Sequence, residues 1–403
     1  MNKQNLTEPQ DPYIKPNLQF VDDPFPVFDE VRNWSPIWKG KQSHSYLVTG
    51  FQQVSNFLRD PRFSSDINFG DTSHLHADSA ELIQAQKYWM SFKNEPDHSQ
   101  FRRPFLTELS ANEIQKLKVT LDANVCARLK KFEQKGEQEF VYEFTEPVLF
   151  ECIEAWFGIP ENSRDEFFWA VSQTASHLPP SPDRRIYPSY KAAKILKEIF
   201  SKLVENRKKK PGNDFVSNVI KASGETVSNE IISANLMLVM FASYETILYF
   251  VPNAIYELLR NSDQLKLLSD DNTLIASATE ELLRYCGSVI SIPRMTTEVV
   301  ETEFAVIGKG ERVSLILAAA NRDPLEFENP TQLDILRTKN KHLALGGGAH
   351  YCIGAYFTRM FVQTIIERVV EFSSRIGLPA IPPPYIRSVG LRGLQHLNLT
   401  IDS

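Results

Sequence analysis

Apolar residues run almost unbroken from Ile231 to Val251, with Asn235 and Glu245 as the conspicuous exceptions. Hydrophobicity on all sides of a helical period predicts a long buried helix rather than a surface one. A mid-span carboxylate and Pro252 directly after the run argue against a membrane crossing. Ser228 stands where an N-cap belongs, with Glu230 in the first turn. Upstream, residues Ala111 to Ile231 carry helical periodicity broken at Pro160, at Pro179–Pro182 and at Pro211–Gly212. Helical patterns return over Asn272–Tyr285 and Ile353–Val369. The strand signal is minor. Residues 35–51 read as a short hairpin, with alternation in Ser45–Val48 and Gly50 at its end, followed by a helix to about Arg62. Thr302–Leu317 reads as two strands turning at Gly308–Gly310. The segment after the proline-rich "GLPAIPPPY" has strand character. The chain is therefore expected to be mainly α with minor β, an α+β unit spanning residues 1–403 with residues 1–22 irregular.

Composition narrows the class. The formal net charge of the 403 residues is -6, and the only dense basic run is Arg207–Lys210. This excludes nucleic acid as the expected partner. The polar, proline-bearing N-terminus has no signal-peptide core and no membrane anchor. The four cysteines, Cys126, Cys152, Cys286 and Cys352, are dispersed and form no C-x-x-C pair. Neither a zinc cluster nor a disulfide framework is expected, and the chain reads as cytoplasmic.

Chemistry concentrates in "LGGGAHYCIGAYFTR", residues 345–359. Glycines this dense let something bulky approach the backbone. Cys352 follows them and opens the predicted helix Ile353–Val369. Free N–H groups and the positive end of a helix stabilise a thiolate. This is the local chemistry of a haem-thiolate site. Taken alone, Cys352 fits a buried structural cysteine as well.

Four further stretches bear on that choice: "DHSQFRR" at 97–103, "FASYETI" at 241–247, "EELLRY" at 280–285 and "ANRDP" at 320–324. His98 and Arg102 share a helical face at i, i+4, as Glu281 and Arg284 do at i, i+3. In this order, and ending in the glycine–cysteine loop, they resemble the cytochrome P450 family from about Asp23 to Leu399. The resemblance implies the cytochrome P450 fold, with haem b lying between the long helix and the cysteine-loop helix. It makes Cys352 the axial ligand of the haem iron. It assigns His98, Arg102, Arg294 in "SIPRM" and His350 to the haem propionates, and sets Leu345, Gly346 and Gly354 against the macrocycle. Glu281 and Arg284 become a structural pair, coupled to "FENPTQLDILR" through Arg337. Glu245 and Thr246 match the acid and alcohol that hydrogen-bond dioxygen and pass protons towards it.

The sequence departs from the family pattern in places. Ser243 follows Ala242 where a glycine is usual, Ile247 replaces a second threonine, and Leu345 replaces a phenylalanine. Pro252 removes a hydrogen bond from the long helix.

The expected activity is oxidation of an apolar small molecule, such as a secondary-metabolite intermediate, by a monomeric monooxygenase. Electrons would come from a separate ferredoxin with its reductase, or from a flavodoxin. Met240, Phe241, Ala242, Val289, Ile290, Ile292 and Leu394 are the expected substrate-pocket positions. A peroxygenase or oxidative coupling enzyme on the same scaffold, and a non-catalytic haem sensor, are the alternatives.

Overall fold

The longest apolar run forms a 32-residue helix, Asn229–Arg260. Its N-terminus is capped as expected: the Ser228 hydroxyl accepts the N–H of Ile231 at 3.3 Å. In the computed structural model, which describes residues 8–12, 18–41, 43–66, 79–174 and 186–402, this helix runs through the middle of the largest hydrophobic cluster. It is long and apolar enough to cross a membrane, yet 72% of its most apolar stretch is buried against protein. Buried Asn235 is satisfied there. Its side chain accepts from Met90 N–H and donates to the carbonyls of Tyr88 and Ile231. The helix continues through Pro252. Against it pack the helices Glu146–Phe157, Ile186–Lys209, Ile275–Cys286 and Ala355–Val370.

The strands form three separate sheets among the described residues. In chain order they are β1 (Ile37–Lys39), β2 (Ser45–Val48), β3 (Phe63–Ser64), β4 (Glu137–Glu139), β5 (Ser291–Thr296), β6 (Val300–Glu301), β7 (Val306–Ile307), β8 (Arg312–Ile316), β9 (Ile376–Gly377) and β10 (Asn398–Ile401). The main sheet has the order β1-β2-β8-β5-β3, in which only β2 and β8 are parallel. β4, β10 and β9 form a second sheet, and β6 pairs with β7. The hairpin within residues 35–51 is present as β1–β2.

Three expectations are corrected. β7 and β8 flank Gly308–Gly310 but do not pair with each other, because Thr296 of β5 takes the turn's hydrogen bonds. Its hydroxyl donates to Gly308 O and accepts Glu311 N–H, which draws β8 onto β5. Leu18–Asp22 is helical, although residues 1–22 read as irregular. β4 interrupts a stretch that reads as helical throughout, and it exists only by pairing with distant β10. The break at Pro179–Pro182 lies outside the described residues.

The segment carrying the cysteine loop is anchored from the helix Ile275–Cys286. Glu281 and Arg284 are wholly buried, with bonds of 2.8 and 2.6 Å between them. Arg284 also donates to the carbonyls of Asn321, Pro330 and Gln332. Glu281 accepts from Arg337 (3.1 Å), Asn340 (3.1 Å) and Asp334 N–H (3.0 Å). Asn321 in turn accepts Leu343 N–H at 2.7 Å, just before the glycines. Next to Glu281, Glu280 reaches the helix beyond the loop through Arg359 (2.7 and 2.8 Å) and the segment before the loop through His342 (3.2 Å). Burial opposes ionisation of Glu280, but these contacts hold its carboxyl down to about 2. Within the loop, Gly346 and Gly348 have φ of 70° and 66°. A Cβ on Gly348 would stand 2.5 Å from Leu58 O, whereas one on Gly346 would meet only His350 O at 3.7 Å. The glycines thus serve the packing of this loop on the turn at Leu58–Arg59.

Two outcomes test this anchoring. Arg284→Ala leaves a buried carboxylate short of its main partner, a loss of about 3–5 kcal/mol. Little folded, cofactor-loaded protein should be recovered, and normal yield would show that the cluster is dispensable. Gly348→Ala adds a steric clash to a backbone strain of about 1 kcal/mol or more, while Gly346→Ala adds strain alone. Thermal melting should therefore place Gly348→Ala below Gly346→Ala, and the reverse order would refute the packing argument.

Candidate active site

The cysteine turn is built from its backbone outwards. Cys352 N–H donates to Leu345 O at 2.9 Å, which closes the glycine loop into a hairpin-like bend. The helix begins at Ala355 rather than at Ile353. Cys352–Gly354 instead form a turn that brings the Gly354 N–H to the sulfur. Burial pushes the Cys352 thiol up from its ordinary value, against the pull of that N–H and of Arg102 and Arg359. The free N–H expected from the sequence is thus present as that of Gly354, and burial outweighs it. Cys352 is half-buried and lines a cavity of about 280 Å³.

The cavity is a slot between two helices. One wall is Val239, Ala242, Ser243 and Thr246 of the long helix, and the other is Cys352, Ile353, Gly354 and Phe357. Spacings of three, four and seven residues put the first set on one helical face. The Thr246 hydroxyl donates to Ala242 O at 2.6 Å, and the Ser243 hydroxyl donates to Val239 O (2.7 Å) and Met240 O (3.0 Å). The helix stays continuous there, so neither hydroxyl opens it. Ser288 adds a bond to Thr246 O at 2.8 Å.

Cationic groups gather at one edge of the slot: His98, Arg102, Arg294 and His350 all line it. Arg102 donates to Tyr351 O, and Arg294 only to its neighbour Pro293 O. His98 meets Glu95 through Nδ1 at 3.0 Å, while its buried Nε2 has no partner. The rings of His98 and His350 lie 4.1 Å apart. Burial lowers Arg294 to about 10, and burial together with His98, Arg294 and Arg102 lowers His350 to about 3. Both shifts come first from burial, and for His350 the neighbouring positive charges add to it against the pull of Glu95. The arrangement fits a flat, apolar guest with two carboxylates at one edge. Cys352 would hold such a guest from one wall of the slot, and the Ala242–Thr246 face would line the other.

His98, Arg102, Arg294, His350, Cys352, Gly354, Ala242, Thr246 and Ile292 are therefore brought to one cavity, as the sequence suggests. Others are not. Leu345 and Gly346 shape the loop from outside the slot, Leu345 through its carbonyl. Met240 is buried in the core, and Phe241 packs on Trp89 at 5.7 Å. Both are rotated off the slot-facing side of the helix, where Leu238 and Val239 stand instead. Val289 bridges Leu391, Ile290 packs with Phe20 and Trp38, and Leu394 donates its N–H to Asn253. Glu245 is buried beside the slot without lining it, and burial raises its carboxyl well above the usual range. Counting turns back from Thr246 finds Val239. No local pattern points to Ser65 or Trp156, which also line the cavity.

The family model for cytochrome P450 matches residues 36–376. A biotin-biosynthesis cytochrome P450 of Bacillus subtilis is 27% identical, over 95% of this chain and 98% of its own length. A putative cytochrome P450 of Xylella fastidiosa is 30% identical, over 88% of this chain and 90% of its own. The solved structure of P450BioI, in complex with acyl carrier protein ligated to hexadec-9Z-enoic acid, superposes with a TM-score of 0.88 at 27% identity. It covers 95% of this chain and 100% of that one. Members of this family are oxidoreductases that hold haem b through a cysteine thiolate. A fold that matches theirs, a sulfur facing a slot and a family model spanning most of the sequence lead to one assignment: this chain belongs to the cytochrome P450 family.

Proposed function

We propose that residues 1–403 form one catalytic unit in which Cys352 is the axial ligand of haem b, and His98, Arg102, Arg294 and His350 bind its two propionates. The observation that carries this reading is the set of four cation-capable groups at the edge of a slot lined by Cys352, with Arg102 and Arg294 bonded to carbonyls and His98 Nε2 unpartnered among the described residues. When bound, the haem supplies the means of activating dioxygen for insertion into a C–H bond. The protein's residues supply the rest. The apolar slot excludes bulk water and holds an apolar substrate. Thr246 presents a hydroxyl on the slot face, already oriented by Ala242 O. Glu245, one residue away and with its carboxyl raised by burial, is the acid that returns protons to that side.

Electrons come from a separate ferredoxin with its reductase, or from a flavodoxin. Lys339 and Lys341 are exposed near the cysteine loop in sequence and Arg103 is exposed on the early helix Asp97–Leu106; with half-buried Lys93 they would offer an acidic partner a basic face. The chain works as a cytoplasmic monomer. Its substrate is an apolar small molecule of the secondary-metabolite kind. The relatives favour this: one is named for biotin biosynthesis and another, from Bacillus subtilis, for polyketide biosynthesis. Hexadec-9Z-enoic acid is a rational first probe in a spectral binding titration.

Two measurements check the reading. The reduced carbon monoxide complex should show the red-shifted Soret band of a thiolate ligand, and Cys352→Ser should lose it. A band that persists would overturn the axial assignment. With a ferredoxin system and a ligand that passes the binding titration, Thr246→Ala should go on consuming reductant. Product per reductant should fall and hydrogen peroxide should rise, since such acid–base help is worth roughly a hundredfold or more. The double change Ser243→Ala with Thr246→Ala removes the neighbouring hydroxyl as a substitute. Tight coupling in the double variant would remove both from the proton path. Efficient turnover of the unaltered enzyme with hydrogen peroxide alone, and poor turnover with electron donors, would make it a peroxygenase.

A further inference from the structure

His98 has a partner on one ring nitrogen and none on the other. It stands second in the helix Asp97–Leu106 and is 3% exposed. Its Nδ1 lies 3.0 Å from Glu95 Oε1. Glu95 is itself held in place. Its Oε1 accepts the Ser99 hydroxyl at 2.8 Å, and its Oε2 accepts the Ser99 N–H at 3.3 Å. The bond from the Ser99 hydroxyl, and then that from His98, lower the Glu95 carboxyl. The other ring nitrogen, Nε2, is buried without a partner on a residue that lines the slot.

The hydrogens a histidine can carry decide what Nε2 is able to do. An ionised carboxylate only accepts, so Nδ1 carries the hydrogen in the Glu95 contact. A neutral imidazole has one N–H, and here it faces Glu95. Nε2 is then a bare lone pair, which cannot donate to a carboxylate and repels one. Only the imidazolium, with hydrogen on both nitrogens, can bond Glu95 and a second carboxylate together.

The remaining neighbours do not change this. His350 approaches from the glycine loop, with its ring 4.1 Å away. Arg102, one turn along the same helix, and Arg294 of β5 share the slot edge and carry donors only. Among the described residues, Glu95 is the only acid in an ion pair with His98. The turn Met90–Phe92 packs on this helix and has no titratable group. The helices Phe215–Ser223 and Asn229–Arg260 pack on it as well, and no titratable group of theirs bonds His98 among the described residues.

We infer that Glu95 is a positioning residue for the cofactor edge: it fixes the hydrogen on Nδ1, so that His98 holds a haem propionate as a doubly protonated cation between two carboxylates. Relative to the neutral ring, one proton from water is added at Nε2, and no electron moves. Without Glu95 the ring could place its single hydrogen on Nε2 and donate to the propionate as a neutral group. Charge-assisted bonds are roughly twice as strong as neutral ones. The inference rests on the propionate role proposed above for His98.

The test uses holoprotein with isotopically labelled histidine, as the diamagnetic reduced carbon monoxide complex, followed by nitrogen NMR. The signals that His98→Leu removes belong to His98. At about pH 8, above the ordinary histidine value of about 6.5, both of its nitrogens should be protonated. Glu95→Gln should leave one of them bare at the same pH. Haem transfer from Glu95→Gln to excess apomyoglobin should quicken about 5–10-fold, the margin between a charge-assisted and a neutral bond. A bare nitrogen on His98 in the unaltered chain overturns the inference. A doubly protonated His98 in Glu95→Gln, or unchanged haem transfer from that variant, overturns it too. Haem transfer from His98→Leu and Arg294→Leu reads the propionate role separately. If both release haem faster while His98 of the unaltered chain is neutral, the inference about Glu95 fails alone. If neither does, the propionate reading falls and the inference with it.

Discussion

Glu281 has no exposed side-chain surface, and five hydrogen bonds reach its two oxygens, from Arg284 twice, Asp334, Arg337 and Asn340. A carboxylate in such a place is tolerable only when paired and fully bonded. That requirement binds the 60-odd residues between Glu281 and the glycine loop into one piece. This stretch has little regular structure after Ala320, so its shape has to come from fixed points. Arg284 supplies three of them by collecting the carbonyls of Asn321, Pro330 and Gln332. The neighbouring Glu280–Arg359 pair ties the far side of the loop to the same helix. The sulfur is therefore held from both directions by adjacent carboxylates on one helix.

The slot itself is a compromise between packing and charge. Its long walls are apolar and could close by side-chain repacking. Its edge collects groups that repel one another, which adds to burial in pushing His350 so far down. A dianionic guest relieves the repulsion and fills the gap at once, so binding and folding should reinforce each other. The long helix contributes through its register: the same helix shows small side chains to the slot, core residues to the interior and the Tyr249 ring to the C-terminal bend at Gly393.

Much of this is legible in the sequence, and the limits follow from physics. The anchoring and cation groups come in short motifs whose spacing is set by a helical turn or a tight loop, so His98 with Arg102, Glu281 with Arg284, and Cys352 can be read locally. Val239 was within reach of the same arithmetic, yet Met240 and Phe241 are nearer Thr246's motif in sequence and face elsewhere. β4 carries three polar residues with no alternation of its own. Its pairing with β10 is set by partners more than 250 residues away, as Asn398 opposite Glu139 illustrates. The cavity roles of Ser65 and Trp156 are likewise products of tertiary packing. The glycine loop is a subtler case: its density is right, but the close neighbour of Gly348 is the Leu58 carbonyl, not the guest.

Ser243 and Thr246 place two hydroxyls on the slot wall, and both have spent their hydrogens on the helix's own carbonyls. To a visiting molecule this face offers acceptors but no donor. Selection along it among substrates that bring no donor must then work by shape, and one methylene in an apolar pocket is worth only about 1–3 kcal/mol. A wall of this kind discriminates weakly between homologous chains or rings. Breadth of substrate is thus built in at the helix, and any narrow preference must be imposed by the polar groups around the rest of the cavity, of which the unpartnered hydroxyl of Ser65 is one.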